Sequence, residues 1–253
     1  MDIITTKHLF QEVPNRLELA YDLVKHIFPN LPPEAIQYEL LRQGLLQYGE
    51  QSLNLDVWKI IEQEVNTLQK EWRGPTVPIY IFPITEGFSK NGIAYKNGII
   101  LFISSQLTTQ QLQALLTHEY HHICRRHLSK EPLSLLDSIL MEGLAEDAVE
   151  TRFGKDALSP WTERYSTKEV QHLWNRHFIS KLHQKGLPLH QVFLYGDPQQ
   201  GLPQWIGYCT GYRIVQAFKK NYSPVSTEAL LSIPSEDIVA VAGFEQKENR
   251  SND

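Results

Sequence analysis

Cysteine is scarce in this chain. The 253 residues hold two, Cys124 and Cys209, and two isolated thiols make no disulfide framework. A reducing, cytoplasmic home is therefore expected. Long apolar runs are missing too: none reaches the length of a membrane span, and no membrane partner is expected. The opening MDIITTKHLFQEVPNR has no basic start followed by an apolar stretch, so no signal peptide is expected. Positive charge is in short supply, with 24 Lys and Arg against 29 Asp and Glu and a net charge of −5. A nucleic-acid binder would carry a basic surplus, and no RNP, zinc-knuckle or P-loop pattern occurs, so no nucleic acid is expected as a partner. Internal repeats and low-complexity tracts are absent. What is present is ordinary for a globular chain, 42% hydrophobic and 21% charged residues. The length suits one sizeable core or two small domains.

Periodicity divides the chain by texture. Residues 15–28 space Leu17, Ala20, Val24 and Ile27 at helical intervals. PPEAIQYELLRQGLLQYG starts with prolines suited to a first helical turn, and its helix is expected to stop at Gly49. NLDVWKIIEQEVNTLQKEW repeats the helical pattern through Val57, Ile60, Ile61, Val65 and Leu68. At Gly74-Pro75 the texture changes. TVPIYIFPI (76–84) reads as a strand, whose two prolines suggest an exposed edge or short pieces. GIAYKNGIILFIS (92–104) holds Asn97-Gly98, a strong hairpin signal. After Thr108 the helical pattern returns and dominates to about residue 155. The last hundred residues read as helices with long loops such as YGDPQQGLPQ, and the tail EQKENRSND as frayed. The expected fold is α+β and mainly helical, with a small mixed sheet. Residues 1–73 form an N-terminal helical region and 74–253 a second region, and the two can make one compact unit.

The chemistry concentrates in LLTHEYHHICRRH, residues 115–127, which holds four of the ten histidines. TTQQLQALLTHEYHHICRRH is expected to be one helix, with Thr108 or Thr109 as N-cap. Leu112, Leu116, Tyr120 and Ile123 form its buried stripe. His118 and His122 are four apart, so they stack one turn above the other on a different face. Two imidazoles so placed suit adjacent corners of a zinc tetrahedron. Glu119 lies about a hundred degrees further round the helix, near the metal without being forced to bind it. There it can hold and deprotonate a water. This is the H-E-x-x-H pattern.

A third ligand is available. LLDSILMEGLAEDAVETRFG is again helical, and nineteen residues, 123–141, separate His122 from Glu142. Lys130-Glu131-Pro132 offers a turn between two antiparallel helices. Gly143 would permit close helix approach. Glu146, one turn beyond Glu142, could take the second N–H of a ligating histidine. The competing reading of Glu142 and Glu146 is an exposed acidic face continued by Asp147 and Glu150. His121 points away from the His118–His122 seam and either supports a ligand or lies at the surface. His127, with Arg125 and Arg126, suits the negative end of the helix dipole. Cys124 and Cys209 read as buried small apolar residues.

His118-Glu119-x-x-His122, nineteen residues, then Glu142 with an acid four further on, resembles the gluzincin, thermolysin-like metallopeptidases. More narrowly, THEYHHICR, MEGLAE and IGYCTGY resemble the YjaZ-type family of predicted zinc-dependent proteases, over most of residues 75–245. The resemblance implies a gluzincin-like zincin core and one Zn2+ per chain, held by His118, His122 and Glu142 with the fourth position open. It implies Glu119 as general base and a peptide or protein as substrate. It also implies a His or Tyr that supports the oxyanion from an element well after Glu142. Tyr208 is the first choice and Tyr212 the second, four apart in WIGYCTGYRIV; both could instead simply pack. His172, His177, His183 and His190 are further candidates. The resemblance places a substrate-binding edge strand just before the metal helix, which points to Gly92, Ile93, Ala94 and Tyr95, though an ordinary core hairpin fits the same residues. Two alternatives stand beside the peptidase: a zinc hydrolase of a non-peptide substrate, and a catalytically silent zinc-binding regulatory protein.

Overall fold

The computed structural model describes residues 3–129, 132–222 and 224–244. It is an α+β protein, mainly helical, with a small mixed sheet. The elements run α1 (Arg16–Val24), α2 (Pro33–Arg42), α3 (Val57–Trp72), β1 (Ile79–Pro83), β2 (Lys90–Tyr95), β3 (Gly98–Ile103), α4 (Thr109–Leu128), α5 (Leu135–Phe153), α6 (Thr167–Leu173), α7 (Leu187–Tyr195), α8 (Ile206–Asn221), α9 (Thr227–Leu230) and α10 (Ser235–Ala242). The chain divides into two compact units, residues 1–127 and 128–253. Gly74-Pro75 lies inside the first. There Gly74 presses on α4, where a Cβ would sit 2.3 Å from Cys124 Sγ. The turn expected at Lys130-Glu131 and the tail from Glu245 lie outside the described residues.

In the first unit the sheet has the order β1-β3-β2, with β1 parallel and β2 antiparallel to β3. β3 reads GIILFI and is buried throughout, as a central strand covered on both faces should be. Tyr80, Phe82, Ile100 and Phe102 share one face with a core that includes Ala20 and Val24 of α1 and Ile36 and Leu40 of α2. The register puts Gly92 and Ala94 on the opposite face, beside Leu101 and Ile99. β1 is an edge strand and short, as its prolines suggest, but it is buried along its length. Ile4 N–H donates to Ile79 O at 3.0 Å and covers that edge.

Two sequence expectations need correction here. α2 ends at Arg42 rather than running to Gly49. Gly44 takes a φ of +101°, Leu46 N–H donates to Pro83 O at 2.9 Å, and the buried Arg16 guanidinium takes the carbonyls of Leu46 and Gly49. Tertiary hydrogen bonds thus pull Leu45 and Leu46 out of a helical pattern they would otherwise fit. The hairpin turn is Lys96-Asn97, because Tyr95 pairs with Gly98. Gly98 is already in the strand, where a Cβ would lie 2.9 Å from Ile27 Cδ1. That glycine serves packing, not the turn.

The second unit is built on α5 and α8. Its core gathers Leu136, Ile139, Leu140, Trp174, Phe178, Ile214 and Phe218 with apolar residues of α7 and α10. The two helices touch at glycines: a Cβ on Gly143 would lie 2.1 Å from Gly211 C.

Both cysteines are free and buried. Burial pushes the Cys124 thiol up to about 12 and raises Cys209 as well. Since the thiolate is the reacting form, iodoacetamide at pH 8 should leave both unmodified in the folded protein and label both in denaturant. Intact mass counts the adducts.

Candidate metal centre

α4 begins with a reciprocal cap. Gln111 N–H donates to Thr108 Oγ1 at 3.2 Å, and the Gln111 side chain accepts from Thr108 N–H at 3.0 Å. Thr108 is therefore the cap of the two threonines considered. Leu112, Leu116, Tyr120 and Ile123 are all buried, the three aliphatic ones each contributing roughly 1.5–3 kcal/mol on burial. That stripe fixes the helix's rotation, and the rotation decides where the polar residues point. The Tyr120 hydroxyl donates to Pro75 O at 3.1 Å.

His118 is half-buried and His122 buried. Their ring centroids are 4.6 Å apart with planes at 87°, as one-turn spacing requires. Glu119 is 5% exposed and lies against β2: a Cβ on Gly92 would sit 2.6 Å from Glu119 Oε1. The missing side chain of Gly92 leaves room for that carboxylate. His121 is 0% exposed, with its ring edge-on to Trp72 at 5.7 Å. The surface reading of His121 is thereby corrected, because α3 covers this face of α4. His127 is exposed in the last turn, beside Arg125 and Arg126.

α5 starts at a capping box, in which Ser134 accepts from Asp137 N–H and Asp137 accepts from Ser134 N–H. The Ser235 hydroxyl also donates to Asp137 at 2.6 Å. Glu142 is half-buried on this helix. Glu146 is buried and accepts from both the backbone N–H and the hydroxyl of Ser159, each at 2.8 Å. Nothing in the sequence flags Ser159, whose partner is thirteen residues away. Asp147 pairs with Lys219 at 2.8 Å and Glu150 is half-buried, so the acidic face of α5 is not a solvated one.

Tyr208 is half-buried among Trp161, Tyr195 and Trp205, with centroids 5.1–5.4 Å away. The Tyr212 hydroxyl, on a residue 3% exposed, donates to Glu150 Oε2 at 2.8 Å. His190 bonds Ser138 Oγ and Gln184 O.

His118, His122 and Glu142 each offer one ligand atom, and these atoms lie within 4.8 Å of one another. Metal–ligand distances near 2.0–2.1 Å in a tetrahedron put ligand atoms roughly 3.4 Å apart. The donor types, two imidazoles and one carboxylate, are those that a catalytic zinc takes. Two imidazoles and one carboxylate also suit zinc over magnesium or calcium, which favour all-oxygen shells.

Such a donor set, on helices of a mainly helical α+β protein, defines a candidate metal-binding protein. More narrowly, the chain belongs to the family described as "Predicted Zn-dependent protease (DUF2268)", whose model matches residues 57–240. It is similar to "Uncharacterized protein YjaZ" of Bacillus subtilis (strain 168), 38% identical over 188 residues, which are 70% of this chain and 71% of that protein. It is also similar to "Uncharacterized protein YjfC" of the same organism, 29% identical over 134 residues, 47% of this chain and 43% of that protein. No helix among the described residues is long and apolar enough to cross a membrane.

Proposed function

We propose that this chain is a zinc-dependent metallopeptidase with a gluzincin-like core, in which His118, His122 and Glu142 hold one zinc ion. The observation that carries the reading is the approach of their three ligand atoms to within 4.8 Å, with the largely buried Glu119 next to His118 in the chain. The zinc, when bound, supplies Lewis acidity and a water of pKa lowered to about 7. Glu119 accepts the proton of the attacking water and returns it to the leaving amine, breaking the C–N bond of the substrate. Tyr208 is the first candidate donor to the developing oxyanion and Tyr212, whose hydroxyl donates to Glu150, the second. Glu146, ordered by Ser159, steadies a ligating histidine. The β2 segment Gly92–Tyr95 receives an extended peptide or protein substrate as an added strand. Residues 74–253 carry every proposed catalytic group, and the helices of residues 1–73 brace the substrate strand. Two buried free thiols support a cytoplasmic setting.

Zinc-loaded protein incubated with a mixed peptide library should yield cleavage products by mass spectrometry. A chelator should abolish them and added zinc restore them. His122→Ala should weaken zinc binding by more than about a hundredfold, since losing only the hydrogen bond behind a ligand costs about 10–100-fold. Stoichiometric zinc without any cleavage would move the reading to a non-peptide hydrolase or a silent zinc protein.

A further inference from the structure

We propose that the Asn91 carboxamide occupies the outward Gly92 N–H of the β2 edge, standing where a substrate carbonyl would stand, until substrate replaces it. The inference deepens the peptidase reading and rests on it.

The pairing of β2 with β3 fixes which peptide groups face outward. Ser104 N–H donates to Ser89 O at 3.0 Å. In an antiparallel ladder bonded and non-bonded pairs alternate, so in this register Asn91 and Ile93 bond to Phe102 and Ile100. Gly92 and Ala94 then turn their N–H and C=O groups away from β3. Among the described residues no strand lies on that side.

The outward Gly92 N–H donates to Asn91 Oδ1 at 3.0 Å. Asn91 is itself held: its Nδ2 donates to Gln43 O at 3.1 Å and to Gln43 Oε1 at 2.7 Å. Gln43 Nε2 donates in turn to Glu39 Oε1 at 2.6 Å. This relay from the end of α2 fixes the orientation of both amides and aims one carbonyl oxygen at one edge donor. A strand edge with bare donors recruits any extended chain. A side-chain carbonyl standing where a peptide carbonyl would stand keeps the edge satisfied yet exchangeable. On the other face of Gly92 lies the Glu119 carboxylate, so a backbone seated on Gly92 lies beside the proposed base. Recognition at this point reads a secondary amide and carbonyl, not a side chain.

The test uses the zinc-loaded Glu119→Gln protein, which should bind without cutting. The probe is the capped peptide acetyl-Ala-Ala-Leu-Ala-Ala-Ala-amide, followed by 15N-resolved NMR. Saturation should shift the Gly92 and Ala94 amide signals and the Asn91 side-chain signals together. Backbone N-methylation of the probe should abolish the shifts. Asn91→Ala removes the competing acceptor and should tighten binding about fivefold, the size of one net neutral hydrogen bond. Asn91→Asp, a stronger acceptor, should weaken it. A probe that fails to bind, a Gly92 signal unmoved at saturation, or weaker binding by Asn91→Ala overturns the inference; the first two need no Asn91 variant to fold. Cleavage of the peptide library by native protein alongside any of these results would leave the peptidase reading standing. Loss of the peptidase reading shows separately, as absence of cleavage.

Discussion

Replacing Glu119 by Gln should lower kcat/KM for any cleaved peptide by about a thousandfold, within the 10²–10⁴ range of general acid–base catalysis. Zinc content should stay at one per chain. At 1.36 kcal/mol per tenfold, that loss is about 4 kcal/mol of transition-state stabilisation. The two halves of the expectation come from different facts. Zinc is retained because Glu119 is not among the three side chains whose ligand atoms converge. Activity is lost because Gln keeps the shape of Glu but has no basic oxygen. The steric setting makes the comparison clean, since the carboxylate is 5% exposed and wedged against Gly92. An isosteric amide fits the same space, whereas a shorter Asp would leave a gap and a longer reach. Equal cleavage by both forms would mean a contaminant or a different base. Zinc lost along with activity would mean that Glu119 is a ligand and the proposed donor set is wrong.

The parts of this site legible in the sequence are those governed by a short period. His118 and His122 stack because helical spacing makes them, and the stripe of Leu112, Leu116, Tyr120 and Ile123 is buried as its spacing requires. Glu142 was expected near the histidines from its chain separation, a length that lets a second helix return, and its ligand atom lies within 4.8 Å of theirs. Features set by distant residues were not legible. The helical pattern after Arg42 is broken by Arg16, some thirty residues away. The Asn-Gly signal marks a real hairpin but misplaces its turn, because Gly98 answers to Ile27 rather than to turn geometry. Gly92 looks like a weak point in a strand, yet its reason is Glu119, twenty-seven positions on. Ser159 and Asn91 carry no motif, and each acts through hydrogen bonds that only the folded chain brings together.

Gly211→Ala should lower the melting temperature by about 10 °C and zinc-dependent cleavage with it. Local propensity argues the other way. Gly in a helix interior is about 1 kcal/mol worse than Ala, so an unencumbered replacement would stabilise α8. The packing decides the sign. A Cβ on Gly211 would sit 2.0 Å from Ile139 O and 3.1 Å from Gly143 N. These are backbone atoms inside a hydrogen-bonded helix and cannot swing aside as a side-chain tip could. α5 and α8 must separate, and overpacking of this kind costs about 1–3 kcal/mol or more. At about 2–4 °C per kcal/mol for a chain of this size, the upper end of that range gives the expected shift. Activity follows because Gly143 is the neighbour of Glu142 and Tyr208 lies one turn before Gly211, so the same separation moves a proposed ligand and the proposed oxyanion donor. Gly143→Ala should act alike, with its Cβ 2.1 Å from Gly211 C. The double variant should cost less than the sum of the two, since one separation of the helices relieves both clashes and contacting sites are not additive. Thermal unfolding of the four proteins measures the coupling. A higher melting temperature for either single variant would mean the helices do not approach this closely, and the account of how α5 carries Glu142 would fall with it.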